Sequence, residues 1–228
     1  GDGADLRPAV LFHQRRVQVE LFRALADVPL AGAELGGERG FDGGDDFLIL
    51  HAAAGHLAGD VDFRDGRDAV VGGEPVADVR IRSAQLKGIQ IPEHLVPLAI
   101  DEFPVLFVAA ANAIGQTVLT GAEELRVKES DRIAVMAKGL QACGIDAAPT
   151  EDGMIINGLG GQPDTRYMAA EIDSQGDHRI AMSFTVAAIR ARGTMLIKGA
   201  QTVDTSFPGF VQLASGLGMN VQSVKVAE

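Results

Sequence analysis

The chain has 228 residues, 46% of them hydrophobic and 22% charged, the composition of an ordered globular protein able to bury a core. Its formal net charge of −11, from 31 acidic and 20 basic residues, argues against a nucleic-acid partner. The longest largely apolar stretch, Phe103 to Ile114, is too short to span a bilayer, so no membrane is expected either. A single cysteine, Cys143, leaves no internal disulfide and no cysteine metal cage; with no basic leader in view, a reducing, cytoplasmic setting is expected.

Residues 1–72 stand apart. They contain no Ser, Thr, Asn, Lys or Tyr, but 12 glycines and 13 acidic residues against 7 arginines. Helix caps and turns there fall to Asp and Gly alone. A shifted-frame reading of GC-rich DNA gives such an alphabet, and so does a divergent segment of biased composition. Within it, Val17 to Val28 has the spacing of a short amphipathic helix, Asp46 to His51 that of a buried strand, and Gly36 to Gly44 that of a loop.

From Gly73 the sequence reads as ordinary α/β protein. Val76 to Ile81 predicts a strand, Glu102 to Ile114 a helix, and Gln116 to Leu119 a strand. Asp131 to Cys143 predicts a helix striped with Ile133, Met136, Ala137 and Leu140 and stopped by Gly144. A hairpin follows, Ile145 to Ala148 and Met154 to Ile156, turning at Glu151-Asp152-Gly153. Then come a polar linker over Gly158 to Gln175, a helix from His178 to Arg192 and a strand over Thr194 to Ile197. A helix over Pro208 to Leu217 and a strand over Met219 to Val224 complete the order. Residues 115–146 align with 193–221 as an internal repeat, Gly121-Ala122 matching Gly199-Ala200 and Gly144-Ile145 matching Gly218-Met219. The second copy has a loop four residues shorter.

The polar clusters gather at predicted helix starts: Asp101-Glu102, Lys128 to Arg132, Asp177 to Arg179 and Asp204 to Ser206. Helix N-termini favour anions, so cations placed there need another reason, and a bound phosphate or carboxylate supplies one. Taken singly, Arg126 to Arg132 is a self-neutralising loop with Ser130 as cap, Asp177 a cap with His178 incidental, and Asp101 another cap. Together they point to a shared anion site. No GxxxxGK[ST], no strand-to-helix GxGxxG and no HExxH occurs. His51 and His56 lack a third ligand, and Cys143 sits on an apolar helix face as a core residue.

LRVKESDR (125–132), GDHRIAM (176–182), DTSFPGF (204–210) and IPEHLVPLAIDEFPVLFVAAA (91–111) resemble the C-terminal part of the bacterial 5-enolpyruvylshikimate 3-phosphate synthase family, over about residues 73–228. Residues 1–72 show no such motif. The resemblance implies repeated βαβαββ units and transfer of the enolpyruvyl group of phosphoenolpyruvate to the 5-hydroxyl of shikimate 3-phosphate, with no cofactor and no metal. It makes Asp101 and Glu129 the proton-transfer carboxylates, Lys128 a contact to shikimate 3-phosphate, and Arg132 and Arg179 the grip on phosphoenolpyruvate, with His178 beside them. Such chemistry needs a base for the hydroxyl, an acid for the methylene carbon and fixed cations for the phosphate. Many family members carry a lysine where Thr205 stands, and the family's N-terminal domain, which supplies a further Lys, Ser, Gln and Arg grip, has no counterpart in residues 1–72. A non-catalytic anion-binding module and an enolpyruvyl transferase for a nucleotide sugar are the alternative readings.

Overall fold

The computed structural model describes residues 85–160 and 165–224, together with the backbone of four short strands before them. These are Val61–Phe63 (β1), Ala69–Val71 (β2), Glu74–Val76 (β3) and Val79–Ile81 (β4), with β1 antiparallel to β4 and β2 antiparallel to β3. The single strand expected over 76–81 is thus shared between two, each with its own partner. The helix expected at 17–28, the strand at 46–51 and the loop at 36–44 lie outside the described residues.

The next stretch builds one βαβαββ unit. Leu86 to Ile91 is extended and runs parallel to Gln116–Leu119 (β5); Gly88 N–H donates to Ile114 O at 2.8 Å and Val118 N–H to Ile89 O at 2.9 Å. Two 3-10 turns, Glu93–Leu95 and Pro97–Glu102, lead into the helix Phe103–Ala111 (α1). Pro104 fits its first turn, where no intrahelical N–H is needed. All nine residues of α1 are buried, as expected for a helix apolar on every side. After β5 come a 3-10 turn, Glu123–Val127, the helix Arg132–Ala142 (α2), and the hairpin Asp146–Pro149 (β6) and Met154–Asn157 (β7). The sheet runs β5-β7-β6, all antiparallel, with Ile155 opposite both Val118 and Ala148.

A second run follows: Tyr167–Met168 (β8), Glu171–Asp173 (β9), the helix His178–Ala187 (α3), Ala191–Arg192 (β10) and Leu196–Lys198 (β11). Two short helices end it, Val203–Ser206 (α4) and Phe210–Gly216 (α5). β8 pairs with β10 and β9 with β11, both parallel. Three expectations change here. The linker over 158–175 contains β8 and β9, which the sequence hid because each sends only one apolar side chain inward, Tyr167 and Ile172. The helix expected to Arg192 gives way after Ala187 to a 3-10 turn and β10. Met219 to Val224 forms no strand; it is irregular, with Val224 exposed.

Helices α1, α2 and α3 pack together beside the sheet, around Phe107, Met136, Leu140, Ile180 and Phe184. Gly139 permits the close approach of α2 to α3, since a Cβ there would lie 2.2 Å from Phe184 Cζ. This packing fixes where the starts of the three helices meet.

Candidate functional site

The starts of α1, α2 and α3 converge, and each carries charge. The turn Pro97–Glu102 delivers Asp101 and Glu102, the segment after Glu123–Val127 delivers Lys128 to Arg132, and the entry to α3 delivers Asp177 to Arg179.

Asp131, not Ser130, caps α2: its Oδ1 accepts the Ala134 N–H at 2.9 Å. Its other oxygen takes Arg126 Nη1 at 2.7 Å, and Arg126 also donates to the carbonyls of Glu151 and Thr150. Arg126 is thereby tied to the hairpin turn and away from the cluster. Ser130 instead donates to Asp177 Oδ2 at 3.1 Å.

Asp177 does cap α3, Oδ1 accepting the Arg179 N–H at 3.0 Å and the Ile180 N–H at 3.4 Å. Its Oδ2 takes Arg132 Nε at 2.8 Å, and the two side chains are 0% and 3% exposed. Charges this deeply buried persist only when paired and hydrogen-bonded. Arg132 reaches onward, Nη1 donating to Asp101 Oδ1 at 2.9 Å. Lys128 Nζ lies 3.5 Å from the same Asp101 oxygen and 2.5 Å from Glu124 Oε1. Arg179 Nη1 donates to the Asp101 carbonyl and to Glu102 Oε1, both at 2.9 Å, and its Nη2 lies 3.8 Å from Asp101 Oδ2. Beside this network His178 Nδ1 is 2.8 Å from Glu129 Oε2.

Asp101 is therefore ringed by three cations while its side chain stays 46% exposed. Burial pushes its carboxyl up, but Arg179, Lys128 and Arg132 together outweigh that and hold it below the ordinary aspartate value. The hydrogen bond to Glu124 leads the causes that raise the Lys128 ammonium above its ordinary value. Glu129, Asp177 and His178 bring ligand-type atoms within 4.8 Å of one another. They suit a cation poorly, because both Asp177 oxygens are taken and one faces a guanidinium at 2.8 Å. Cys143 is buried, and its thiol is pushed up to about 11 by that burial, so it is protonated at neutral pH and no nucleophile.

All six residues named from the sequence thus meet: Asp101, Lys128, Arg132 and Arg179 in one network, with the Glu129–His178 pair alongside. Asp204 to Ser206 instead lie apart, exposed on the short helix α4, which is anchored by the buried Val203. Glu102 and Asp177 lay within the clusters read from the sequence, but their pairing with Arg179 and Arg132 was not foreseen, nor was the part of Glu124. The adjacency Asp101-Glu102 and the i,i+4 spacing of Glu124 and Lys128 were the available signals.

The EPSP synthase (3-phosphoshikimate 1-carboxyvinyltransferase) family model matches residues 43–213, three quarters of the chain. The chain belongs to that family. As an EPSP synthase family member it is 64% identical over 159 residues to a 3-phosphoshikimate 1-carboxyvinyltransferase of Hydrogenovibrio crunogenus, covering 70% of this chain and 35% of that one. A Methylococcus capsulatus protein of the same description is 61% identical over 152 residues, covering 67% and 33%. The solved EPSP synthase of Acinetobacter baumannii superposes with a TM-score of 0.78 at 44% identity, over 91% of this chain and 46% of that one. The repeated-unit α/β fold is that of the enolpyruvyl transferases. The chain spans about a third of the length of the curated relatives it matches. The family match starts at residue 43, so residues 43–72, expected from the sequence to lie outside the resemblance, fall within it. Among the described residues no helix is long and apolar enough to cross a membrane.

Proposed function

We propose that this chain carries the C-terminal part of an enolpyruvyl transferase site, acting on phosphoenolpyruvate and shikimate 3-phosphate with release of phosphate. The observation that supports it most is the convergence of Lys128, Arg132 and Arg179 on one partly exposed, ionisation-favoured carboxylate, Asp101, in a member of this family. The 5-hydroxyl oxygen bonds to C2 of phosphoenolpyruvate while its proton passes to a base and another proton reaches the methylene carbon. Elimination then breaks the bond from C2 to the phosphate oxygen and takes a proton back from the methyl group. Asp101, readily ionised, serves the hydroxyl. Glu129, with the His178 ring at 2.8 Å as a proton partner, serves the carbon.

Arg132 and Arg179 hold the anionic groups of phosphoenolpyruvate, and Lys128 turns from Glu124 toward shikimate 3-phosphate. Arg132 has a second duty, since it also neutralises the buried Asp177. The remaining grip on both substrates comes from outside this set of residues, and well-oriented proximity is worth roughly 7–11 kcal/mol of a barrier. The lone, buried cysteine supports a cytoplasmic setting.

The test is phosphate release with both substrates, from the chain alone and after adding the N-terminal portion of a relative. Release should be several orders of magnitude below that of a complete synthase for the chain alone, rise on addition and vanish in Asp101→Ala. Binding without release in either case favours an anion-binding module, and release dependent on a nucleotide sugar favours the related transferase.

A further inference from the structure

Glu102 occupies the N-cap position of α1 but makes no side-chain cap. Its Oε1 accepts Arg179 Nη1 at 2.9 Å instead, and its Oε2 is buried with no hydrogen-bond partner among the described residues. A buried carboxylate oxygen left without a donor is costly, so the site retains this group against its own stability. The Arg179 guanidinium is consequently held on one side only. Nη1 spans Glu102 and the Asp101 carbonyl, while Nη2 stands 3.8 Å from Asp101 Oδ2, beyond hydrogen-bond range.

We infer that Glu102 is the positioning residue of Arg179: its carboxylate pins Nη1 so that Nη2 is presented to an anionic ligand, and its protonation loosens the guanidinium. This rests on the reading above, in which Arg179 grips the anion. The groups facing Glu102 are Arg179 from α3, Asp101 from its own segment and Arg132 from α2. Burial pushes the Glu102 carboxyl up and Asp101 adds to it; Arg179 and Arg132 oppose this without cancelling it, and the carboxyl ends above its ordinary value. A further negative charge delivered to Arg179 moves it the same way.

The test uses the full chain with labelled Glu side-chain carbon and Arg side-chain nitrogen, followed by NMR from pH 4 to 8 without ligand and then with phosphoenolpyruvate. Separate, slowly rotating Arg179 Nη signals are expected at the upper end, collapsing as the Glu102 carboxyl carbon titrates. In Glu102→Gln they should be collapsed at every pH, and phosphoenolpyruvate should bind about three- to tenfold more weakly. Glu171→Gln, which removes an exposed acid paired with Lys198, controls for lost charge and should change neither. Arg179 signals that ignore the Glu102 titration, or survive in Glu102→Gln, overturn the inference. If Glu102→Gln does not fold, the wild-type titration decides alone. Arg179 signals that follow Glu102 in a chain that binds no phosphoenolpyruvate uphold the positioning and refute the functional reading instead.

Discussion

The two structural runs, residues 86–157 and 171–218, use the same backbone plan for different ends. Both open with a parallel strand pair around a helix, Leu86 to Ile91 with β5 around α1, and β9 with β11 around α3. In both, a glycine follows the second strand and another follows the last helix, each with positive φ: Gly121 at +68° and Gly144 at +83°, Gly199 at +74° and Gly218 at +91°. They part in the connection that leads to the last helix. In the first run it ends in Lys128 to Asp131 and places a cation and a carboxylate at the site. In the second the shorter connection coils into α4, whose Asp204, Thr205 and Ser206 are exposed. Correspondingly α2 opens on the buried Arg132 and α5 on the buried Phe210. The plan fixes where helix starts fall, and the connecting loop decides whether a start carries chemistry.

The largest break in this comparison comes from Arg132. Arg132→Met strips the fully buried Asp177 of its guanidinium while leaving the cap bonds and Ser130 in place. Removing one partner of a buried pair costs about 3–5 kcal/mol. Urea unfolding should show a loss of that size; a loss below about 1 kcal/mol means that the cap bonds alone satisfy Asp177. Ligand affinities of Arg132 variants must therefore be read beside their stability, and Arg179 or Lys128 is the cleaner probe of anion binding.

The sequence carried most of the first run and less of the second. α2 and its hairpin were legible because their apolar positions recur at the proper period and Gly144 stops the helix. β8 and β9 were not, since two- and three-residue strands offer no period to read. The six candidate residues were legible as charges at helix starts, joined by a family resemblance, and the packing brings them together. Glu102 was hidden by its place: an acid at a helix start reads as dipole compensation, and only the packing of α1 against α3 shows that it faces Arg179.

The paired glycines sharpen the comparison at a smaller scale. Gly218→Ala puts a Cβ into open space, so its cost is backbone strain alone, roughly 1–2 kcal/mol. Gly144→Ala carries the same strain, and its Cβ would also meet Met168 Cε at 3.0 Å, a flexible chain end that gives way at little cost. The two losses in thermal or urea unfolding should therefore agree closely. A much larger loss at Gly144 would show that Met168 is held rigidly over α2, and no loss at Gly218 would show that the second run relaxes where the first cannot.

The smallest expected effect sets the two first-helix starts against each other. At α3 a single acid, Asp177, both caps the helix and pairs with Arg132. At α1 neither acid caps, and the two neighbours titrate in opposite directions. Asp101 is held below its ordinary value, so the folded state favours its ionised form. Its contribution to stability is present above the ordinary aspartate pKa and is lost as pH falls through the lower folded value. Glu102 is held above its ordinary value, so the folded state favours the protonated form, and stability is lost as pH rises from the ordinary glutamate value through the folded one. Thermal unfolding of Asp101→Asn should therefore fall behind wild type most above that aspartate range, the gap closing in acid. Glu102→Gln should gain on wild type as pH rises toward neutrality, even though it loosens Arg179. Parallel pH profiles for the two variants would mean that the acids titrate as one unit, and that the asymmetry between the two helix starts is geometric only.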